Sequence, residues 1–317
     1  MALFLSETDV RGLLTMDLAL EVVEAAHRAH ALGRAIDIPR QRTRVPTASL
    51  HILQGALLDE GVMGYKAYTA SKAGVRFLVH LFDAADGRPL AVIEANFLGM
   101  MRTGAAGGIA AKYLSRPESA TVGMIGAGWQ AQGQLAALCK VRPIRQVKLY
   151  SRNPEKRRLA SAEFAQRFGI EVVPVESAEA AVRGSDIVVT ITTSATPVVQ
   201  GDWLSPGTHV NAAGSNALIR RELDEKTVGR ASLVCVDGRE TALREAGDLL
   251  PALEKGRLHA GRLVELGEIV AGIRPGRGDA DEITLFESQG MAIQDLAVAR
   301  RLWQLAGSQG IGTPLPF

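Results

Sequence analysis

The chain has 317 residues, of which 47% are hydrophobic and 22% charged, as is typical of a folded globular protein large enough for two domains. Its net charge of +2 at pH 7 argues against a nucleic-acid-binding surface or an acidic tail. The two cysteines and six histidines form no metal-ligand pattern, so no metal site is expected. With no apolar run long enough to cross a membrane and no recognisable leader, the sequence predicts a cytoplasmic protein without a membrane partner.

The first part of the chain predicts a small α+β domain. An amphipathic helix is expected over residues 17–32, and in the extended segment that follows, alternation places Arg40, Arg42 and Arg44 on one face. Strand-like patterns then occur in four segments, 50–53, 62–69, 77–82 and 90–95. The dipeptide Asp86-Gly87 predicts an antiparallel hairpin between the last two of these segments.

The charged residues of this domain have two alternative roles. Arginine runs usually form a solvated face, and the pattern alone favours the wet face for Lys66, which lies within Gly64-Tyr-Lys-Ala-Tyr68. A buried lysine would instead have a lowered pKa and would suit proton transfer. The residue pattern leaves both roles open.

Residues 98–114 predict a helix that is rich in glycine and alanine. Because glycine lowers helix stability, this density indicates that another backbone or a ligand comes close. Arg102 and Thr103 are expected at the N-terminal turn of the helix, where backbone N–H groups can help to bind an anion. Arg116-Pro117 ends the helix and marks the first predicted domain boundary.

A glycine-rich turn dominates the middle of the chain. In residues 120–131 a short apolar strand stops at a Gly-Ala-Gly turn, and a helix follows at once. Gly126 permits the tight turn and Gly128 lets the backbone approach a pyrophosphate, while Trp129 and Gln130 begin the helix whose dipole favours phosphate. Strand, turn and helix in this order predict a dinucleotide-binding site.

Strand and helix continue to alternate up to residue 237, which predicts the doubly wound parallel sheet of a Rossmann-type domain. Loops at the carboxyl ends of such strands border the ligand. In this chain those loops contain Thr192, Thr193, Ala213, Gly214 and Asn216.

A strand near 282–286 leads into a last helix, which is expected to return to the N-terminal domain. The predicted fold class is therefore α/β, with a Rossmann-type domain over 117–289 and a discontinuous α+β domain for substrate binding and dimerisation over 1–116 and 290–317.

The residues after the second Rossmann strand predict the cofactor. No acid stands in Tyr150-Ser-Arg-Asn-Pro154, where an NAD enzyme would bind the ribose 2′-OH. Ser151 and Arg152, beside Asn153, can instead bind a 2′-phosphate. NADP(H) is predicted to be preferred, with NAD(H) as the alternative cofactor and a merely exposed basic helix start as the alternative interpretation.

Eight separated motifs span nearly the whole chain: Arg42-Thr43, Gly64-Tyr-Lys66, Arg102-Thr103, Gly126-Ala-Gly-Trp-Gln130, Asp186-Ile-Val-Val-Thr190, Asn211-Ala-Ala-Gly214, Glu245-Ala-Gly-Asp248 and Ser288-Gln-Gly-Met-Ala292. Together they resemble the ornithine cyclodeaminase/mu-crystallin family, which includes alanine dehydrogenases and cyclic ketimine reductases. The resemblance implies a homodimer that pairs through its N-terminal domains, with the active site in the interdomain cleft. It also implies that Arg42 and Arg102 bind the substrate carboxylate and that Lys66 faces the reacting carbon.

Two positions depart from the cyclodeaminases of that family. Asn216 stands where they have an aspartate, and His51-Ile52 stands near the position of their glutamate, with Gln54-Gly55 replacing a Met-Pro pair. An amide cannot act as a carboxylate base, and an uncharged pocket offsets poorly the desolvation of a second ammonium group.

The predicted function is therefore NAD(P)H-dependent reduction of an imino acid, or the reverse dehydrogenation of a 2-amino acid. Ornithine cyclodeamination, or binding of NADP(H) and a small ligand with little turnover, are the alternatives. The predicted catalytic residues are Lys66, Arg42 and Arg102, and Asn216 joins them in binding substrate. The predicted cofactor-binding residues are Thr103, Gly126, Gly128, Trp129, Gln130, Ser151, Arg152, Asn153, Thr192, Thr193, Ala213, Gly214, Ser288 and Gly290.

Overall fold

The computed structural model describes residues 2–316, which divide into two compact units. The first unit ends at Arg102 and resumes at Met291, and the second runs from Thr103 to Gly290. The first boundary thus lies inside the glycine-rich helix, not at Arg116-Pro117 as predicted. The reason is the packing of that helix beyond Thr103, since a Cβ added at Gly104 would lie 2.1 Å from the backbone oxygen of Gly133 in the second unit.

The helices of the described residues are α1 (Glu7–Leu13), α2 (Met16–Ala31), α3 (Asn96–Leu114), α4 (Trp129–Val141), α5 (Pro154–Phe168), α6 (Ala178–Val182), α7 (Glu225–Arg230), α8 (Arg239–Glu245), α9 (Leu250–Glu254), α10 (Leu266–Val270) and α11 (Ala292–Gln309). The strands are β1 (Leu3–Leu5), β2 (Ala35–Val45), β3 (Ala48–Leu57), β4 (Val62–Ser71), β5 (Gly74–Asp83), β6 (Pro89–Glu94), β7 (Thr121–Ile125), β8 (Gln146–Tyr150), β9 (Glu171–Pro174), β10 (Ile187–Thr190), β11 (His209–Ala212), β12 (Leu233–Val236), β13 (Val264–Glu265), β14 (Thr284–Glu287) and β15 (Thr313–Pro314). Within residues 2–316 no helix is both long and apolar enough to cross a membrane.

The first unit is built on a mixed seven-stranded sheet in the order β15-β1-β6-β5-β4-β3-β2. Strands β2 to β6 pair antiparallel, and the predicted hairpin at Asp86-Gly87 joins β5 to β6. Helix α11 packs on one face, where a Cβ added at Gly64 would meet Leu296 at 3.0 Å. Because strand residues alternate between faces, Met63 and Leu78 lie on the opposite face, and both are exposed.

The second unit contains an all-parallel eight-stranded sheet in the order β13-β12-β14-β11-β10-β7-β8-β9. The predicted Rossmann-type architecture is confirmed. Its central strands are buried because both faces of the sheet are covered: Val188 belongs to one buried cluster and Val189 to another. Strands β7, β10 and β11 are in register, so Ile125, Thr190 and Ala212 mark one carboxyl edge of the sheet.

Helix α3 begins earlier than its pattern predicted. It starts at Asn96, so Arg102 lies in the second turn and not in the N-terminal turn. The backbone N–H groups of Asn96 and Phe97 donate to Glu7, which caps the helix. The expected anion site at the start of this helix is therefore wrong, since a carboxylate of the protein already takes those donors.

Candidate active site

A buried ion triad in the first unit joins Lys66, Asp295 and Arg102. The Lys66 ammonium lies 2.6 Å from Asp295 Oδ2, and Arg102 donates through Nε to Asp295 Oδ1 at 3.0 Å. These side chains come from β4, α11 and α3, which are distant in sequence. All three residues are buried, with Lys66 only 2% exposed. The wet-face position that the strand pattern favoured for Lys66 is therefore wrong, because α11 covers that face and supplies its counter-ion.

The environment of Lys66 tunes its proton affinity. Burial lowers the pKa of Lys66 to about 7, and the positive charge of Arg102 adds to this effect. Asp295 opposes the change through its charge and its hydrogen bond, while Arg40 lowers the pKa further. A lysine with a pKa near neutrality can both give and take a proton at physiological pH.

The triad continues into a buried polar chain through Gln294 and His27. Arg102 donates through Nη1 to Gln294 Oε1 at 2.8 Å, and the amide nitrogen of Gln294 lies 3.1 Å from Nε2 of His27. Both Gln294 and His27 are fully buried. Two of the three guanidinium nitrogens of Arg102 are thus used within the unit. Nη2 is the atom that remains for a ligand, and the fixed Nε and Nη1 set its direction.

The three arginines of β2 share the face of the sheet that carries Lys66. Arg40 is buried, Arg42 is half-buried and Arg44 is exposed. His51 is paired with Arg42 across the strands, and all three arginines act electrostatically on it. Burial, followed by these charges, lowers the pKa of His51 to about 4, so the imidazole is neutral near pH 7. This end of the face is therefore strongly cationic.

His51 is held by its neighbours within the sheet. Its Nε2 lies 2.9 Å from the Ser49 hydroxyl, and its ring stacks on Tyr68 with centroids 4.3 Å apart. A neutral, stacked imidazole cannot supply the negative charge that a glutamate would have brought to this position.

The glycine-rich turn in the second unit has the geometry that a dinucleotide needs. Gly126 has φ +116°, and a Cβ there would lie 2.5 Å from the Ile191 backbone oxygen, so only glycine fits. At Gly128 an added Cβ would meet no atom within 4 Å, which leaves open space beside the backbone. Helix α4 begins at Trp129, followed by Gln130, and no side chain caps its start. These residues fit the pyrophosphate of a nicotinamide dinucleotide.

Thr103 lies beside this turn within the same unit. Its backbone oxygen accepts a hydrogen bond from Gln134 Nε2 of α4 at 3.1 Å. The contact ties the start of the second unit to the helix that follows the glycine turn.

The residues after β8 form an exposed loop and a helix start. Asn153 caps α5 by accepting from the Lys156 N–H, and the Ser151 hydroxyl donates to the Asn153 backbone oxygen. Arg152 is exposed and has no ion-pair partner among residues 2–316. Arg157, by contrast, is buried and pairs with Glu176 at 2.6 Å. Of these two neighbouring cations, Arg152 is the one directed to solvent.

The loops after β10 and β11 lie side by side at the carboxyl edge of the sheet. The first contains Thr192 and Thr193, and the second contains Ala213, Gly214 and Asn216. Asn216 is half-buried within this second loop. At Gly214 the two loops approach so closely that a Cβ would lie 2.4 Å from the backbone oxygen of Thr192.

The hydrogen-bond donors of Ser288 and Gly290 are used by another residue of their own unit. The Ser288 hydroxyl and the Gly290 N–H both donate to Asp237 Oδ2, at 3.0 and 2.6 Å. Gly290 has φ +82°, which favours glycine at this point. Their hydrogen-bond donors are therefore used to fix the chain just before α11.

The structure brings Lys66, Arg42 and Arg102 to one unit and all the predicted cofactor residues to the other. Sequence reasoning missed Asp295, Gln294, His27 and Arg40 as parts of the first group. The signal for Asp295 was present, since an acid within the apolar start of a long helix needs a buried cation as partner. Nothing in the sequence around His27 distinguishes it from an ordinary helix residue.

Comparisons with known proteins agree with one another. The sequence model of the ornithine cyclodeaminase/mu-crystallin family matches residues 1–309 of the chain. The chain is 37% identical to an alanine dehydrogenase of Archaeoglobus fulgidus, over 99% of this chain and 98% of that protein. It is similar to the structure of Thermococcus litoralis Delta(1)-pyrroline-2-carboxylate reductase in complex with NADH and L-proline, with a TM-score of 0.95, 37% identity and coverage of 99% and 100% of the two chains. An archaeal alanine dehydrogenase dimer with bound NAD gives a TM-score of 0.94 and 36% identity, covering 100% of this chain and 99% of that chain.

Proposed function

Because the chain belongs to the ornithine cyclodeaminase/mu-crystallin family and is an NAD(P)-dependent oxidoreductase of CH–NH or CH–NH2 groups, we propose that it reduces a 2-imino acid to the 2-amino acid. The imino acid is cyclic, or is formed from a 2-oxo acid and an amine. The single observation that carries this proposal is the buried triad of Lys66, Asp295 and Arg102. It offers a proton donor tuned to neutral pH beside a fixed guanidinium group.

The carboxylate of the imino acid binds to Arg102 and Arg42. Nη2 of Arg102 is held in place by the bonds of Nε to Asp295 and of Nη1 to Gln294. A guanidinium group stays charged when it is desolvated, and its planar shape matches a carboxylate. Arg42 adds a second positive charge from β2, which makes the face selective for anions.

Lys66 supplies the proton of the reaction. With a pKa of about 7, its ammonium donates to the imine nitrogen, and the neutral amine that remains regains a proton from water. Asp295 holds the ammonium in one orientation through the 2.6 Å contact. A bound nicotinamide cofactor would supply the hydride that the imine carbon accepts. One hydride at carbon and one proton at nitrogen convert the C=N bond to CH–NH.

The cyclodeaminase reaction fits this chain less well. It must manage a second nitrogen, and cyclodeaminases have two carboxylates for it where this chain has Asn216 and the region of His51. The pKa of His51 is about 4, so it is neutral at pH 7 and surrounded by arginines. A second ammonium group on the substrate would meet net positive charge there, without a carboxylate to offset its desolvation.

The cofactor we propose is NADP(H) in preference to NAD(H). The related structures named above contain NADH or NAD. In this chain residues 151–154 after β8 include no acid that could bind a ribose 2′-OH, and the exposed Arg152 is available for a 2′-phosphate. Ser151 offers a hydroxyl next to it.

The assembly we propose is a homodimer that pairs through the first unit. The archaeal alanine dehydrogenase named above is a dimer. The sheet face opposite α11 exposes Ile36, Ile38, Leu50, Met63 and Leu78. An apolar face of this kind is costly to leave in water, and a second copy of it is a complementary cover. Both cysteines are unpaired, in keeping with the cytoplasmic location we propose.

A panel assay tests the reaction. The protein is incubated with NADPH or NADH and either cyclic imines or 2-oxo acids with ammonia or methylamine, and cofactor oxidation is followed by absorbance. We expect turnover that requires an imine and a carboxylate beside it. Release of ammonia and proline from ornithine faster than any imine is reduced would show that the enzyme is a cyclodeaminase. Cofactor binding without turnover on the whole panel would show a binding protein.

A further inference from the structure

Three carboxyl groups are buried together in the second unit, next to the loops after β10 and β11. Glu222, Asp248 and Glu287 are each no more than 1% exposed. Charged groups are rarely buried in this way unless their hydrogen bonds do specific work. None of the three belongs to the residues already assigned to substrate or cofactor.

The carboxyl group of Glu222 bridges the two loops. Oε1 accepts from the Thr192 N–H at 2.6 Å, and Oε2 accepts from the Gly214 N–H at 2.8 Å. Oε2 also accepts from the Thr190 hydroxyl at 3.0 Å, which ties the same group to the end of β10. One side chain thereby joins both loops and sets their spacing.

Asp248 fixes the backbone at Glu222, and Glu287 is buried in the same cluster. Asp248 Oδ1 accepts from the backbone N–H groups of Glu222 and Leu223, at 2.6 and 2.7 Å. Glu287 accepts from the Gln289 side-chain amide through Oε1 at 3.0 Å. Burial raises the pKa of all three groups, that of Glu222 to about 7. The cluster is therefore a buried support, in which Asp248 fixes the backbone of the residue whose carboxyl group bridges the two loops.

We propose that Glu222 is a positioning residue for the cofactor, holding the Thr192 and Gly214 loops at the spacing that the nicotinamide half of NAD(P)H requires. This inference rests on the proposed function, because those two loops are cofactor-binding loops only if the protein binds a nicotinamide dinucleotide. The absence of a side chain at Gly214 is needed for the same loop spacing. A Cβ there would lie 2.6 Å from Glu222 Oε1 and would force the loops apart.

The test compares cofactor affinity with stability in the purified full-length protein. In Glu222→Gln only one acceptor oxygen remains for three donors, so one loop loses its bond. We expect the Kd for NADPH, measured by fluorescence without substrate, to rise roughly tenfold or more, as for a buried donor left unpaired. Backbone amide exchange at Thr192 and Gly214 should accelerate. In turnover, KM for the cofactor should rise while KM for the imine stays close to that of the wild type.

Asp186→Asn is the matched control. Asp186 accepts from the backbone N–H groups of Ala120 and Thr121 and from Arg116, so it too is a carboxylate with three donors. It precedes β10 at the amino edge of the same sheet, so the whole length of β10 separates it from the Thr192 loop. We expect it to lower Tm without changing the Kd for NADPH. Thr190→Val, which removes one donor and keeps the shape, provides a milder variant if Glu222→Gln does not fold, and should raise the Kd by a smaller factor.

Two results would overturn the inference. Unchanged Kd and unchanged amide exchange in Glu222→Gln or Thr190→Val would mean that the loops keep their positions without the carboxylate. A rise in Kd in Asp186→Asn equal to that in Glu222→Gln would mean that lost stability alone explains the effect. Failure of the wild type to reduce any imine, with the Kd differences intact, would instead overturn the proposed function and leave the positioning role in place.

Discussion

Asp295 lies between two cations, with Lys66 Nζ at 2.6 Å from one of its oxygens and Arg102 Nε at 3.0 Å from the other. A single carboxylate thus serves a proton donor and a carboxylate-binding group at the same time. Because one anion faces two cations, the triad keeps a net positive charge when Lys66 is protonated. That surplus favours an anionic substrate, and the Arg102 charge adds to burial in lowering the pKa of Lys66 to about 7.

Removing the Lys66 amine should abolish chemistry and spare cofactor binding. We expect Lys66→Ala to lower kcat for imine reduction by roughly 10²- to 10⁴-fold, as for loss of a general acid, with little change in the Kd for NADPH. In the wild type, kcat for reduction should fall as pH rises through about 7, because the ammonium form is the donor. Amine oxidation should rise over the same interval. Lys72→Ala, at an exposed turn, is the control, and equal kcat in both variants would contradict the role.

Neutralising Asp295 should move the pH profile. Its charge and hydrogen bond both raise the pKa of Lys66, so in Asp295→Asn that pKa falls further. The alkaline limb of the kcat profile for reduction should shift by about one to three pH units toward acid. Asp37→Asn is a suitable control, because Asp37 accepts from the Ile293 N–H at the start of the same helix. An unchanged kcat profile in Asp295→Asn would show that the pKa of Lys66 does not determine the alkaline limb.

Substitutions of Arg42 and Arg102 should affect substrate binding and the pH profile differently. Arg42→Ala should raise KM for the imino acid by roughly tenfold or more with kcat nearly kept, as expected on losing a charged hydrogen bond. Arg102→Ala should raise KM as well, and it should also shift the pH profile toward alkali, because the Arg102 charge lowers the pKa of Lys66. Arg44→Ala is the control for Arg42, as the exposed arginine further along β2. Identical effects of all three substitutions would argue for general electrostatics only.

Cofactor preference should depend on Arg152. Arg152→Ala should raise KM for NADPH by roughly tenfold, the value of a charge-assisted bond, and leave KM for NADH unchanged. Arg158→Ala removes a nearby cation that pairs with Glu155 at 2.8 Å, and it should alter neither constant. Steady-state kinetics with both cofactors measures this. A wild-type preference for NADH, or equal use of both, would show that the basic loop after β8 binds no phosphate.

The oligomer should depend on the exposed face of the first sheet. Met63 is 40% exposed on that face, and Met63→Glu should convert a dimer to a monomer in light scattering at micromolar concentration. Leu159→Glu is the control, since Leu159 is 54% exposed on α5 of the second unit. A monomeric mass for the wild type would contradict the proposed assembly, and a dimeric Met63→Glu would place the interface elsewhere.

Local patterns predicted the architecture because they act over short distances. Alternating apolar residues identified the strands on both sides of the Asp86-Gly87 hairpin, and the turn at Gly126 and Gly128 was predicted from a strand, two glycines and a helix. The surroundings of Lys66 could not be predicted in this way. Its burial depends on α11, and Asp295 follows Arg102 by 193 residues, a separation over which periodicity carries no information.

Some errors came from contacts that no local pattern records. The start of α3 at Asn96 is fixed by Glu7, whose carboxylate crosses from the first helix to accept its N–H groups. Glu222 escaped attention because it stands in the charged run Arg220-Arg-Glu-Leu-Asp-Glu-Lys226, a pattern typical of a solvated surface. Only the fold shows that its oxygens face two loops.

The position of α11 at the end of the chain bears on how the protein is made. Ribosomal synthesis delivers the sheet of the first unit, with Lys66 and Arg102, long before the helix that carries Asp295. Until that helix arrives, the face that carries Lys66 and Arg102 lacks both its cover and its anion. The first unit therefore cannot complete its buried triad before the Rossmann-type unit, whose residues run without interruption from Thr103 to Gly290, has been synthesised.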